Sequence, residues 1–259
     1  MRALSSPSHL TDTEPLQAAA QRLTTGFAAL DLSARLAAVK REIPGRLVFT
    51  TSFGLEDQAI AHAIFTNDLP IDVITLDTGR LFPQTYELWS STEARYGRRI
   101  RALYPERRAV EAFVTQHGID GFRSSIAARQ ACCGVRKVEP LGRALTGSSG
   151  WITGVRAEQS LERAATPYAA LDAVRGFVKV SPLLDWTRER VVAFVREYGV
   201  PVNPLHDEGF LSIGCAPCTR AVRPGESERA GRWWWEQDDK KECGLHNRPR
   251  PTLETAVAR

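Results

Sequence analysis

Over the first two hundred residues, short apolar runs alternate with stretches of helical period. Residues 47–50, 73–76, 100–103, 151–155 and 178–180 read as short strands, most of them rich in β-branched or aromatic residues. Residues 56–65, 83–96, 108–117 and 188–198 repeat their apolar positions every three to four residues. The second of these has Pro83 in its first turn, and the last sets Val191, Val192, Phe194 and Val195 on one face. Strands alternating with helices predict an α/β fold, a doubly wound and mostly parallel sheet. After Pro201 the rhythm stops, and Pro, Gly, charged residues and Trp233-Trp234-Trp235 take over. The pattern therefore divides the chain into a flexible lead-in over 1–25, an α/β ligand-binding domain over 26–200, and an extension over 201–259 that closes over that domain.

Composition narrows the class. A chain of 259 residues with 43% apolar content can bury one sizeable core. Its net charge of +4 comes from Lys and Arg spread along the chain, which suits a small anionic substrate as well as a polyanion. Residues 1–16 contain no apolar run long enough for a signal peptide, and Asp12 and Glu14 are out of place in an organellar transit peptide. A cytoplasmic protein with no membrane association is expected, with its oligomeric state left open, a homo-oligomer included.

Polar signals follow the strands, where an open α/β sheet places its ligand crevice. Ser52-Phe53-Gly54-Leu55-Glu56-Asp57-Gln58 leaves the first strand and opens a helix, Asp77-Thr78-Gly79-Arg80 leaves the second, and Arg156 follows the strand at 151–155. A Ser- and Gly-containing turn into a helix offers backbone N–H groups to an anion. Glu56 and Asp57 would repel a highly charged phosphate chain, and no P-loop sequence occurs. A modestly charged group fits best there.

The five cysteines sort into Cys132-Cys133, Cys215-Ala-Pro-Cys218 and a single Cys243. Two close pairs can converge on one centre, as four thiolates do around zinc or an iron–sulfur cluster. Directly adjacent ligands are unusual for structural zinc, which favours a cluster. A disulfide framework or inert core cysteines are the competing readings. The fifth cysteine is then left over as a nucleophile. Two further cations, Arg229 and Arg232, stand three residues apart after Pro224-Gly225 and would share a helical face, and Lys137 lies four residues beyond Cys133.

Six ordered motifs carry a resemblance: Ser52 to Gln58, Leu76-Asp-Thr-Gly-Arg-Leu-Phe-Pro83, Cys132-Cys-Gly-Val-Arg-Lys-Val-Glu-Pro-Leu141, Ile152-Thr-Gly-Val-Arg156 with Gln159-Ser160, Cys215-Ala-Pro-Cys-Thr-Arg220, and Glu242-Cys-Gly-Leu-His246. Together they resemble the assimilatory sulfonucleotide reductases, in the branch that reduces adenosine 5′-phosphosulfate (APS) and carries a [4Fe-4S] cluster. The likeness spans roughly residues 45 to 246, with small departures such as Gln84 where many members have Glu.

The resemblance implies an adenine nucleotide alpha-hydrolase-like fold and a role for each candidate. Cys132, Cys133, Cys215 and Cys218 would hold one [4Fe-4S] cluster per subunit. Cys243 would attack the sulfur of APS, expel AMP and form an S-sulfonate, with His246 favouring the thiolate. A thioredoxin or glutaredoxin-like dithiol would then release sulfite. Lys137, Arg229 and Arg232 would hold the phosphosulfate. Ser52, Phe53, Gly54, Glu56, Leu76, Asp77, Gly154 and Arg156 would line the adenosine site, with Asp77 equally readable as a helix cap. Three alternatives stay open. The first is reduction of the 3′-phosphorylated substrate (PAPS), alone or with APS. The second is a nucleotide-activating sulfur-transfer enzyme, disfavoured because the first loop lacks Ser-Gly-Gly-x-Asp-Ser. The third is a metal-cluster regulator that binds nucleic acid, which has no need of Cys243 and explains none of the strand-end motifs; no nucleic-acid partner is expected.

Overall fold

The computed structural model describes residues 13–236. Leu47, Val48 and Phe49 are all buried, so this run becomes the centre of the sheet as β1 (Leu47–Thr51). It pairs in parallel with β2 (Asp72–Leu76) on one side and β4 (Gly150–Ile152) on the other. Strand β3 (Arg101–Leu103) lies outside β2, and β6 (Phe177–Val180) lies outside β4, both parallel. An antiparallel edge strand, β5 (Ala169–Asp172), completes the order β3-β2-β1-β4-β6-β5. Strand order reverses between β1 and β4, which opens a crevice at their carboxyl ends.

Alternation along the strands builds two cores. Leu47 and Phe49 face α1 (Thr13–Gly26), α2 (Leu32–Glu42), α3 (Leu55–Thr66) and α9 (Arg188–Glu197), whose Leu23, Leu36, Ile60 and Val191 are buried with them. Val48, Ile74 and Trp151 face the opposite layer, where Leu141, Ala144 and Leu145 of α7 (Glu139–Leu145) cover them. Each such Leu, Ile or Phe contributes about 1.5–3 kcal/mol by leaving water. Helix α4 (Pro83–Tyr96) starts on its proline and ends at Gly97, whose φ of 62° is the left-handed cap that glycine supplies without strain. The remaining helices are α5 (Arg107–His117), α6 (Ile126–Cys133) and the single turn α8 (Leu161–Ala164).

Two features differ from the sequence reading. From Thr13 the expected lead-in is a helix, because Ala19, Ala20 and Leu23 dock on the sheet and the Thr24 hydroxyl donates to Ala169 O at 3.1 Å. The helix expected to align Arg229 with Arg232 is a turn in which Arg232 N donates to Arg229 O at 2.9 Å. Between Pro201 and Glu236 the regular structure is limited to two 3-10 turns, Pro204–His206 and Ala216–Cys218. Among the described residues no helix is long and apolar enough to cross a membrane.

Candidate functional site

The turn after β1 is held in shape by its own side chains. Phe53 takes a φ of 60°, unusual for a bulky residue, and its ring is buried against Trp89 with centroids 5.7 Å apart. Asp57 accepts hydrogen bonds from Ser52 N at 2.6 Å and from Ser52 Oγ at 2.8 Å. The loop after β4 presses against the start of α3, and at Gly154 a Cβ would collide with Asp57 Oδ1. Glycine is what lets β1 and β4 deliver their loops to one crevice.

That crevice is a cavity of about 190 Å³. Ser52, Phe53, Gly54, Glu56, Leu76 and Gly154 line it from the strand ends, and Lys137, Arg229 and Arg232 line it from the other segments. These nine expected substrate contacts are therefore brought together. The other two, Asp77 and Arg156, are buried but do not line the cavity. Asp77 Oδ1 accepts from Gly79 N and from the Tyr86 hydroxyl, both at 2.8 Å, so it caps the turn, the second of the two roles expected of it. Burial and the bond to Asp77 push the Tyr86 phenol up to about 12.

Arg156 is fully buried and already committed to carboxylates. Its Nε donates to Glu56 at 2.7 Å, Nη1 to Glu158 at 3.2 Å and Nη2 to Glu228 at 2.7 Å. Burial works against its charge, but Glu56 and Glu228 outweigh that and raise its pKa. It joins the turn after β1, the loop after β4 and the extension. Arg156 thus shapes the wall without touching the space inside.

Burial outweighs the two donors on Asp57 and lifts its carboxyl from the ordinary 3.8 to about 6. The native state then holds this proton more tightly than the unfolded chain does. The group's contribution to stability is complete below 3.8 and is lost as pH rises towards about 6. Asp57→Asn is expected to remove that segment of slope from thermal stability plotted against pH. An unchanged slope would contradict the assignment.

A second cavity adjoins the first. Cys132 and Cys133 end α6, after which a π-helical turn, Gly134–Val138, carries Arg136 and Lys137 before α7 begins. Such a turn re-aims side chains relative to a regular helix and recurs at functional sites. Cys215 and Cys218 flank the 3-10 turn Ala216–Cys218. All four cysteines are buried, none is in a disulfide, and all line this second cavity with Arg80, Arg129, Arg136, Lys137 and Arg232. Burial raises the Cys132 thiol, and it pushes Cys218 up to about 12 with help from Cys215. Cys215 moves the other way: burial opposes ionisation, but Lys137, the Thr78 hydroxyl 3.3 Å away and Arg232 bring it down. Among the described residues no three His, Cys, Asp or Glu side chains converge tightly enough to hold one metal ion. Lys137, Arg232 and Trp233 line both cavities and so form the partition between them. Cys243 and His246 lie outside the described residues.

Sequence reasoning missed Glu228 and His206. Glu228 reads as an ordinary surface charge in an irregular stretch, and His206 as part of a Pro-rich turn; only their partners in space single them out.

An α/β sheet with a ligand cavity at its switch point and a cationic partition to a chamber of four cysteines defines a restricted class of protein. The profile described as "Phosphoadenosine phosphosulfate reductase domain" matches residues 46–221, and the chain belongs to that family. It is 55% identical to an adenosine 5′-phosphosulfate reductase of Sinorhizobium fredii strain USDA 257, over 90% of this chain and 93% of that one. It is 49% identical to one from Allochromatium vinosum, over 98% and 96%. The crystal structure of phosphoadenylyl-sulfate (PAPS) reductase from Candida auris, a phosphate complex, superposes with a TM-score of 0.67 at 28% identity, covering 85% of this chain and 100% of that one.

Proposed function

We infer that this chain is an oxidoreductase that reduces adenosine 5′-phosphosulfate to sulfite and AMP in sulfate assimilation. The observation that carries this is the 55% identity to adenosine 5′-phosphosulfate reductases over nearly the whole of both chains. The cavity at the switch point supports a nucleotide there. Ser52, Gly54, Leu76 and Gly154 offer backbone and small polar groups to the adenosine half, while Lys137, Arg229 and Arg232 supply cations to the phosphosulfate.

In this reading the Cys243 thiolate attacks the sulfur of APS. A new S–S bond forms, the S–O bond breaks, and AMP leaves with that electron pair, stabilised by the cations. His246 lies three residues away in sequence and would favour the thiolate. A thiolate of an external dithiol protein of the thioredoxin or glutaredoxin kind then attacks Cys243 Sγ and releases sulfite. Its second thiol clears the mixed disulfide. The dithiol gives up two electrons and becomes a disulfide, so the balance closes without another donor.

Cys132, Cys133, Cys215 and Cys218 are the residues that would hold a [4Fe-4S] cluster. Their chemistry fits: four buried thiols line one chamber without closing on a point, and five cations surround it, as a net-negative cluster requires. When bound, the cluster would supply a fixed negative charge that draws Lys137 and Arg232 to the partition. Purified anaerobically, the protein is expected to carry about four irons and four inorganic sulfides per chain.

The test of function is sulfite release with a thioredoxin system, from APS and from PAPS in parallel. Strong preference for APS is expected, and equal rates would make the enzyme dual-specific. Release from PAPS alone would overturn the assignment. A second outcome concerns the partition. At Gly214 a Cβ would collide with the Arg232 guanidinium. Gly214→Ala is therefore expected to raise KM for APS roughly tenfold by displacing that cation, and an unchanged KM would place Arg232 away from the substrate.

A further inference from the structure

His206 is a half-buried group that neither the cysteine chemistry nor the cationic partition uses. It ends the 3-10 turn Pro204–His206, which is fixed at its start by Asn203: the side-chain oxygen accepts from Leu205 N at 3.1 Å, and Nδ2 donates to Thr85 Oγ1 of α4 at 3.2 Å. The imidazole Nδ1 lies 2.8 Å from the carbonyl oxygen of Phe210. A carbonyl can only accept, so the proton is on Nδ1, and Nε2 of the neutral ring presents a lone pair. Burial lowers the imidazole's pKa, which keeps that neutral form. The ring lines the switch-point cavity, and Nε2 is buried with no hydrogen-bond partner among the described residues.

A buried acceptor without a donor is costly, and one that persists in a native structure calls for a functional role or a bound partner. Donors of this region are engaged elsewhere: Arg188 Nη1 donates to Leu211 O and pairs with Glu228, and the Ser52 hydroxyl donates to Asp57. Phosphate and sulfate oxygens at pH 7 have no proton to give. The loop that carries His206 starts near Glu56, on the adenosine wall of the cavity, and continues through Leu211 to Gly214, against which the Arg232 guanidinium lies. The donors of a bound adenylate nearest its phosphate are the ribose hydroxyls.

We propose that His206 Nε2 accepts a hydrogen bond from a ribose hydroxyl of the nucleotide in this cavity, and so sets the sugar's position relative to the phosphosulfate cations. The inference rests on the reading of the cavity as the adenylate site. Asparagine at 206 can keep the bond to Phe210 through its amide N–H but has nothing at the Nε2 position; glutamine can return an acceptor oxygen there.

The test is calorimetric binding of AMP, 2′-deoxy-AMP and 3′-deoxy-AMP to the full-length wild-type protein, His206→Asn and His206→Gln, with thermal melting as a check on folding. His206→Asn is expected to weaken AMP about tenfold. One deoxy analogue should bind the wild type about tenfold worse than AMP and bind His206→Asn no worse than it binds the wild type. His206→Gln should recover part of the loss for AMP. A His206→Asn penalty equal for all three ligands would overturn the proposal, since a purely structural role or a contact to the phosphate gives that result. So would unchanged AMP affinity in both variants. If the wild type bound none of the three, the adenylate reading of the cavity would itself fall, a result distinct from an equal penalty.

Discussion

Replacing Cys243 with serine is expected to abolish sulfite release from APS, with a loss on the order of 10³-fold or more. A serine hydroxyl is scarcely ionised near neutral pH and is a hard, weak nucleophile towards sulfur, whereas a thiolate is soft and strong. Binding of AMP should persist, because the cavity walls come from strand ends, the π-helical turn and residues up to Trp233. Iron content should persist as well, since the four chamber cysteines are untouched. The measurement is single-turnover sulfite formation beside AMP binding. Activity within about tenfold of wild type would move the nucleophile elsewhere.

The second large effect concerns Arg156. Arg156→Met leaves Glu56 and Glu228 facing a buried site with their shared cation gone. Removing one partner of a buried ion pair costs about 3–5 kcal/mol. For a chain of this size that lowers Tm by roughly 10 °C. Arg156→Lys should be intermediate, because a single ammonium cannot reach three carboxylates through a planar fork. Adding Glu56→Gln and Glu228→Gln to Arg156→Met should restore part of the loss, because Arg188 beside Glu228 and the Gln159 amide beside Glu56 compensate the two charges incompletely. A Tm for Arg156→Met indistinguishable from wild type would show that the network contributes nothing.

Legibility in the sequence followed burial and local period. Strands β1 and β2 were readable because a central parallel strand is apolar on both faces, and α4 because Pro83 marks its start and its apolar positions keep a helical period. Strand β5 was not readable, since Ala169-Ala-Leu-Asp172 has weak strand propensity and is ordered by antiparallel pairing with β6. Helix α1 was hidden because its contact face is mostly alanine, which buries well and signals poorly. The crevice could be placed from the strand-end motifs, which depend only on strand order. Which of those polar residues face the cavity could not. Arg156 looks like an anion ligand until Glu56, Glu158 and Glu228, from three separate stretches of chain, are found around it. Asp77 is likewise decided by Tyr86, nine residues away.

The partition also depends on a contact that local pattern does not encode. Arg232 reaches its place because Gly214 leaves room for the guanidinium. Its neighbour Trp233 is buried at a φ of 44°, with the guanidinium carbons of Arg129 and Arg232 at 4.5 and 4.8 Å from its ring centroid. Arg129 in turn pairs with Glu236 at 2.5 Å, both buried, at the last described residue before the segment that bears Cys243. A bulky residue in the left-handed region needs surrounding contacts to hold it. Here they tie the end of the described chain to the cysteine chamber.

The measurement that reaches the central claim most directly is the intact mass of the protein after incubation with APS in the absence of any thiol, followed by peptide mapping. The account predicts the added mass of one SO₃ group on Cys243, formed with stoichiometric AMP and discharged as sulfite when a dithiol is supplied. No adduct in protein shown to retain its iron, or an adduct on one of the other cysteines, would contradict it.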